Sequence, residues 1–257
     1  MDVKKILEHH IIDHVWSFVL DGPEGPVDLP VSKHLLMMLL VGVLLGAGLP
    51  LLRRSRSAAL APFRSMLEAA VLFIRDEVVV MNMGKRGARY TGYFCTLFFF
   101  ILGLNLAGMV PFGSTATGNL AVTGGLALST FLLVNLAGMR EQGVVKYVSH
   151  LVPAGVPVWL YPLLFPIEVL GLVTKSFALC IRLFANMIAG HIVILSLISM
   201  IFIFGAVNPW LGVGVTAPAA VVLVIFVSLL EIFVAFLQAY IFTFLTAIFT
   251  GAAMHPH

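Results

Sequence analysis

Charged residues are scarce in this chain. Of its 257 residues, 11% are charged and 60% are hydrophobic, whereas a water-soluble domain carries about 25% charged residues. This composition excludes a water-exposed surface of ordinary make-up and leaves no room for a large soluble catalytic domain. Several uncharged apolar runs are long enough to cross a bilayer, so the sequence predicts an all-α, polytopic membrane protein.

Cysteine is almost absent, and the common catalytic motifs are missing. Cys95 and Cys180 both lie inside apolar runs and provide neither a disulfide framework nor a zinc motif. No P-loop occurs, because Gly84-Lys85 is followed by Arg86, and no H-E-x-x-H motif is present. We therefore expect no metal, no cofactor and no catalytic activity in this chain.

The N-terminus also lacks a short apolar core that ends in a cleavage site, so no cleavable signal peptide is predicted. His9, His10 and His14 lie close together there, but neither a cysteine nor a regular helical spacing completes a metal site. We interpret these histidines as part of an exposed polar terminus, with a metal site as the alternative. His255 and His257 are interpreted as a solvated tail.

The few charges are unevenly distributed. Residues 1–32 contain two basic and six acidic residues, whereas residues 53–90 contain eight of the 15 basic residues and three acidic ones. Basic segments next to membrane spans stay on the cytoplasmic side, so residues 1–32 are predicted outside and residues 53–90 inside. The net charge of +3 is therefore a topology signal and does not indicate nucleic-acid binding. Besides setting the topology, the basic segment from Arg53 to Arg89 could contact a protein partner or lipid head groups.

Five crossings and one surface helix are predicted. Residues 58–81 mix apolar side chains with five charges and are predicted as an amphipathic helix on the inner surface, followed by a basic loop at residues 82–89. We expect a single membrane domain, 1–257, with an outer segment (1–32), three spans and the surface helix (33–157), and a helical hairpin (158–257). The predicted spans are Leu35–Leu52, Tyr93–Phe112, Asn119–Gly138, Ile167–Phe204 and Pro218–Ala253.

The last two runs are too long for a perpendicular crossing. Ile167–Phe204 would extend about 57 Å as a helix, against roughly 30 Å of hydrocarbon. The only strong turn signal between the two runs lies at residues 205–214. We therefore expect a long, strongly tilted hairpin with the C-terminus inside.

Formal charges inside this hairpin require an explanation. A charge near the membrane centre costs roughly 2.5 to 3.5 kcal/mol and usually marks an ion pathway or a polar partner. Glu168, Lys175 and Arg182 follow one another at intervals of seven residues, so they share one helix face. A structural role within the bundle is the alternative for Arg182. The second arm contributes one charge, Glu231.

A second polar group lies beyond Arg182. Asn186 is close to the face of Arg182, and His191 lies about 13.5 Å further along the helix than Arg182. On the second arm, Gln238 follows Glu231 by seven residues. If Gln238 lies level with Arg182, Glu231 falls near the depth of His191. Histidine and a partly buried carboxyl suit proton relay, whereas arginine stays charged and acts only electrostatically. Helix packing is the alternative for an isolated histidine.

Two motifs carry a resemblance to a known family. RLFANMIAGH at residues 182–191 and LEIFVAFLQAYIF at residues 230–242 closely resemble the subunit a family of F-type ATP synthases. NMGK at residues 82–85 and FFFILGLNLAGMVP at residues 98–111 support the match in the same order along the chain. The loop at residues 113–119 departs from the pattern, because it lacks an acid that some relatives carry there, so it is left out of the path.

The resemblance implies a non-catalytic stator subunit that faces a rotating ring of c subunits and provides two offset half-channels for protons. It implies that Arg182 separates the channels and meets the ring carboxylate. The outer path would be lined by Asn186, His191, Glu231 and Gln238, and the inner exit by Glu168 and Lys175. The implied partners are the c ring, the b-subunit peripheral stalk and, through the complex, the F1 sector, in which the nucleotide chemistry resides.

Two other classes of function remain open. A proton-coupled secondary transporter usually shows internal repeats, and the hairpin motif has no second copy in the sequence. A purely structural membrane anchor leaves the cost of Arg182 and Glu231 unexplained. A bacterial inner membrane is the expected location, because no transit-type segment is evident, with an organelle membrane as the alternative.

Overall fold

The computed structural model describes residues 15–22, 25–54, 60–109, 116–150 and 157–254. Helices make up nearly all of this part of the chain. They are α1 (Lys33–Arg54), α2 (Ala61–Phe73), α3 (Met81–Gly87), α4 (Thr91–Met109), α5 (Leu120–Gln142), α6 (Val144–His150), α7 (Tyr161–Val207) and α8 (Ala217–Met254). Wider π-helical segments at Ile74–Val80 and Leu211–Thr216 and short 3-10 turns at Ala88–Tyr90, Ala116–Gly118 and Val158–Leu160 connect them.

Five helical stretches are long and apolar enough to cross a membrane. The predicted class, an all-α polytopic membrane protein, is therefore confirmed. The tilt of the last two helices stays a prediction. The stretches are Lys33–Leu51, Ala61–Met109, Leu120–Gln142, Tyr161–Val207 and Leu211–Met254.

A short β-hairpin precedes the first span. β1 (Val15–Gly22) and β2 (Gly25–Ser32) pair antiparallel, from Val15 opposite Ser32 to Gly22 opposite Gly25. The sequence interpretation assigned no structure here. The Ser32 hydroxyl oxygen then accepts a hydrogen bond of 3.1 Å from the backbone N–H of His34. This bond satisfies one free donor at the start of α1.

The segment after α1 differs from the prediction in one respect. Residues 82–89 were predicted as a loop, but most of them are helical, and the helix is interrupted only at Gly84, which has φ 68°. Glycine adopts this left-handed conformation without the steric cost of a β-carbon. Asn82 also stays within the helical pattern, because its side-chain amide donates a 2.7 Å hydrogen bond to the carbonyl of Val78. The amphipathic segment and α4 are therefore joined by helical turns.

The chain divides into two compact units, which comprise the described parts of the following ranges. The first contains Met1–Val43, Leu102–Asn119 and Leu183–Gln238, and the second contains Leu44–Ile101, Leu120–Arg182 and Ala239–His257. In the second unit, an apolar core joins residues from α4, α5, α8 and the region of Gly84. Its buried members are Ile74, Val78, Val79, Met83, Phe94, Ala137, Ala247 and Met254.

The two longest helices are joined by a very short connection. α7 begins at Tyr161 rather than at the predicted residue 167 and continues through Pro166. A proline this near the helix start removes only one backbone hydrogen bond of an early turn. At the other end, the backbone N–H of Trp210 donates a 3.0 Å hydrogen bond to the side-chain oxygen of Asn208. Gly205 and Gly212 approach so closely that a β-carbon on Gly212 would lie 2.7 Å from the Gly205 nitrogen.

Candidate functional site

Four of the predicted site residues meet in the first unit. Asn186 and His191 lie on α7, and Glu231 and Gln238 lie on α8. Asn186 donates a hydrogen bond of 3.0 Å from Nδ2 to Oε1 of Gln238. The Nε2 atom of His191 lies 3.9 Å from Oε1 of Glu231. The later residue on α7 therefore contacts the earlier residue on α8, so these parts of the two helices are antiparallel.

Glu231 and Gln238 are buried, with 9% and 2% of their surfaces exposed. Both side chains line a cavity with a volume of about 20 Å³. This volume is enough for about one water molecule. Its walls combine polar and apolar residues from three helices, namely Asn105, Leu183, Asn186, Met187, Glu231, Val234, Ala235 and Gln238.

Three buried polar atoms at this cavity have no hydrogen-bond partner within the described part of the chain. They are Oδ1 of Asn105, Oε1 of Glu231 and Nε2 of Gln238. Buried polar atoms without partners are rare in folded proteins and usually mark a bound water, an ion or a functional group. Two acceptors and one donor around one small cavity make a suitable environment for one bound water molecule.

Asn105 is a site residue that the sequence interpretation missed. It lies on α4 with 3% of its surface exposed, and its Nδ2 donates a 3.3 Å hydrogen bond to the carbonyl of Ala235 on α8. The available signal was a lone amide in a 19-residue helix that contains no charge. Polar side chains inside an apolar span often hydrogen-bond to a neighbouring helix, as Asn105 does here.

Gly190 provides the space for the Glu231 carboxylate. A β-carbon at position 190 would lie 2.7 Å from Oε1 of Glu231 and 3.0 Å from its carboxyl carbon. Real β-carbons do not approach other atoms this closely, so the carboxylate occupies the volume that a side chain would need. The position of Glu231 beside His191 therefore depends on glycine one residue before the histidine.

The other three predicted residues lie in the second unit and are spread along α7. Glu168 is half-buried, whereas Lys175 and Arg182 are exposed. The ammonium of Lys175 lies 5.7 Å from the centre of the Phe249 ring, within the range of a cation–π interaction. Successive members are about 10.5 Å apart along the helix, so the structure does not bring them into mutual contact.

Arg182 makes no ion pair with any residue that the structure describes. Its neighbours Ile181 and Ala185 are also exposed. A permanent charge in the middle of a long apolar helix is costly unless a polar group faces it. The exposed side of α7 at Arg182 is therefore suited to a polar or charged group outside this chain.

The fold and the site define a polytopic helical membrane protein with ionisable side chains inside its spans. The sequence model of the ATP synthase A chain family matches residues 35–251. The chain is 46% identical over 241 residues to ATP synthase subunit a of Myxococcus xanthus, covering 91% of this chain and 77% of that protein. It is 39% identical over 259 residues to the same subunit of Chloroherpeton thalassium, covering 96% and 75%.

A third relative is longer than this chain. ATP synthase subunit a of Anaeromyxobacter dehalogenans strain 2CP-C is 46% identical over 242 residues, which are 91% of this chain and 60% of that protein. The chain belongs to the ATP synthase A chain family. The resemblance identified from residues 182–191 and 230–242 is confirmed.

Proposed function

We propose that this chain is the proton-translocating stator subunit of an F-type ATP synthase and performs no catalysis itself. The observation that carries the proposal is the contact between His191 and Glu231, two titratable side chains on facing helices of apolar spans, 3.9 Å apart. Membership of the ATP synthase A chain family supports it. The relatives named ATP synthase subunit a support it further.

Protons would enter through the polar site of the first unit. Imidazole changes its charge near neutral pH, and a carboxyl at its side can exchange a proton with it. Glu231 also faces the cavity beside Asn105 and Gln238, where a water molecule can carry the proton over the remaining distance. Asn186 holds the Gln238 amide in place through their hydrogen bond. These residues form the outer half-channel of the proposal.

Arg182 would act as a fixed positive charge between two half-channels. It is exposed and has no ion-pair partner among the described residues, and its guanidinium cannot release a proton at any accessible pH. A carboxylate of a neighbouring ring subunit that came close would be held in its ionised form. The same charge would repel a proton moving directly from one path to the other. Glu168 and Lys175 would line the inner exit.

Rotation follows if each ring carboxylate is protonated through one path and releases its proton through the other. The proposed partners are therefore the ring of c subunits, the b-subunit peripheral stalk and, through the complex, the F1 sector. The proposed location is the inner membrane of a bacterium, with the N-terminus outside and the C-terminus in the cytoplasm, because the basic residues of positions 53–90 favour the inner side.

ATP-driven proton pumping in inverted membrane vesicles tests this function. Arg182→Ala is expected to abolish pumping while the complex still assembles, because the separation between the two paths is lost. The matched control is Arg75→Ala, which removes an arginine whose exposed guanidinium pairs with its neighbour Asp76. Normal pumping with Arg182→Ala would contradict the proposal and return the anchor hypothesis to consideration.

A second experiment distinguishes the stator from a self-contained transporter. The purified chain is reconstituted into vesicles without any ring subunits, and proton flux is followed with a pH-sensitive dye. Because the ring carboxylate is not part of this chain, we expect no flux. Proton conduction by the chain alone, or substrate uptake coupled to it, would contradict the stator mechanism.

A further inference from the structure

A short helix lies immediately beyond the third predicted span. α5 ends at Gln142, and α6 begins at Val144. The intervening Gly143 has φ 83°, a left-handed conformation that turns the chain sharply at low cost only for glycine. Because the span ends two residues earlier, α6 lies at the level of the membrane surface.

One face of α6 is fixed to the second unit by Tyr147. This side chain is 8% exposed, and its hydroxyl donates a 2.9 Å hydrogen bond to Oδ1 of Asn135. Its ring also packs so closely on Gly138 that a β-carbon there would lie 2.8 Å from Cδ2 of the ring. These contacts of Tyr147 fix the orientation of α6, and therefore also the directions in which its other faces point.

Those remaining faces combine exposed apolar and basic side chains. Val144, Val145 and Val148 are 60%, 84% and 44% exposed. In a helix they span an arc of about 100°, and the exposed Lys146 lies beyond that arc. Three exposed valines on one arc, with a lysine on the opposite side of the helix, are typical of a helix that lies in the membrane interface, with its apolar side chains in the acyl region.

Further basic side chains lie at the end of α5, which directly precedes this helix. Arg140 is exposed at the end of α5. Glu141 contacts both Arg86 and Arg89, and the Arg86 side chain remains 73% exposed. The region therefore contains Lys85, Arg86, Arg89, Arg140 and Lys146 against one acidic residue, Glu141.

We propose that this surface, composed of Val144, Val145, Val148, Arg140 and Lys146, binds the head groups of anionic phospholipids. The valines enter the acyl boundary, and the two basic side chains reach the lipid phosphate beside it. Glu141 leaves this charge available, because it is already engaged by Arg86 and Arg89. Unlike the proposed proton path, this inference depends only on the membrane spans and the position of α6.

Lipid selectivity measures this interaction. The full-length protein is reconstituted in phosphatidylcholine, and spin-labelled phosphatidylglycerol or spin-labelled phosphatidylcholine is added as the probe. The wild type is expected to prefer phosphatidylglycerol, and Arg140→Gln and Lys146→Gln each reduce that preference about fivefold. Lys33→Gln, which removes a positive charge outside this surface, serves as the matched control.

The outcomes separate a site from a general charge effect. An unchanged preference in both variants, or an equal reduction in Lys33→Gln, would overturn the proposal. Because a variant can lose its fold, the wild type is also measured against salt concentration. Screening of exposed charges is expected to reduce its preference for phosphatidylglycerol, and a salt-independent preference would also count against the proposal.

A cross-linking experiment identifies the occupant of this surface in the intact complex. Val145→Cys places a thiol on the most exposed valine, and a photoactivatable reagent is attached to it in native membranes. Cross-linking to phospholipid alone supports the proposal. Cross-linking mainly to another protein subunit would overturn it and identify a protein interface instead.

Discussion

Asn186 donates its side-chain N–H to the carbonyl oxygen of Gln238 at 3.0 Å, and these two residues lie 52 positions apart in the sequence. The bond fixes the longitudinal position of α7 against α8 in the first unit. It also orients the Gln238 amide, because the oxygen is held by Asn186 and the nitrogen is left without a partner at the cavity. One amide group thus links helix packing to the polar site.

Asn186→Leu is expected to reduce both stability and proton pumping. Gln238 is 2% exposed, and a buried acceptor that loses its partner costs about 1 to 3 kcal/mol. The double variant Asn186→Leu, Gln238→Leu removes both partners and is expected to recover stability but not pumping.

Thermal unfolding of the purified protein measures the stability of these Asn186 and Gln238 variants, and proton pumping in vesicles measures their activity. Ser196→Ala, which removes a hydroxyl that donates a hydrogen bond to the Ile192 carbonyl of its own helix, serves as the control. Recovery of pumping in the double variant would show that the pair is only structural.

Gly190→Ala is expected to reduce pumping because it displaces the Glu231 carboxylate. The new methyl group would lie 2.7 Å from Oε1, and overpacking of this kind costs about 1 to 3 kcal/mol. Gly171→Ala is a matched control on the same helix, because nothing lies within 4 Å of its β-carbon. Pumping per assembled complex is compared in the two variants. Equal pumping in both would mean that the position of the carboxylate is unimportant.

His191 and Glu231 are expected to act as one functional unit. Glu231→Gln alone lowers the pumping rate about 100-fold if the side chain transfers the proton directly. If both residues serve the same step, the double variant His191→Gln, Glu231→Gln loses little more activity than the more severe single variant. The test compares the initial pumping rates of His191→Gln, Glu231→Gln and the double variant, each normalised to the amount of assembled complex. If the fold-loss of the double variant equals the product of the two single fold-losses, the two residues act in independent steps.

Asn105→Leu is expected to lower pumping, although this residue carries no charge. The substitution removes the 3.3 Å hydrogen bond to the Ala235 carbonyl and an acceptor of the cavity. Because the larger leucine side chain narrows the cavity and one of its acceptors is lost, a water molecule is held less well there. Thr96→Val on the same helix is the control, because its hydroxyl donates a hydrogen bond to the Gly92 carbonyl within that helix. Wild-type pumping with Asn105→Leu would exclude the cavity from the proton path.

Much of the helical architecture could be predicted from sequence because apolar length is a strong signal. The predicted span Ile167–Phe204 lies wholly within α7. The ends were less accurate, since Pro166 was taken as a boundary, whereas α7 begins five residues before it and continues through it. The β-hairpin at residues 15–32 was not predicted, because its second strand contains two prolines and the strands lack a long alternating pattern.

The site was predictable where spacing along helices determines the outcome. With Gln238 set level with Arg182, spacings of nine and seven residues on two antiparallel arms placed Glu231 near the depth of His191. The structure has these two side chains 3.9 Å apart. Asn105 could not be located by the same argument, because it lies on α4, and spacing within α7 and α8 contains no information about a third helix. Gly190 was also missed, since the space it leaves becomes visible only when the Glu231 rotamer is known.

The contact between Gly205 and Gly212 makes the end of the helix pair a good reference point for distance measurements. Backbone lies directly on backbone there, so the connection has little freedom to move by itself. Trp210 and Val213 nevertheless project outward, with 85% and 73% of their surfaces exposed. A fluorophore or spin label attached at either position will therefore report displacement of the helix pair as a body rather than local loop motion.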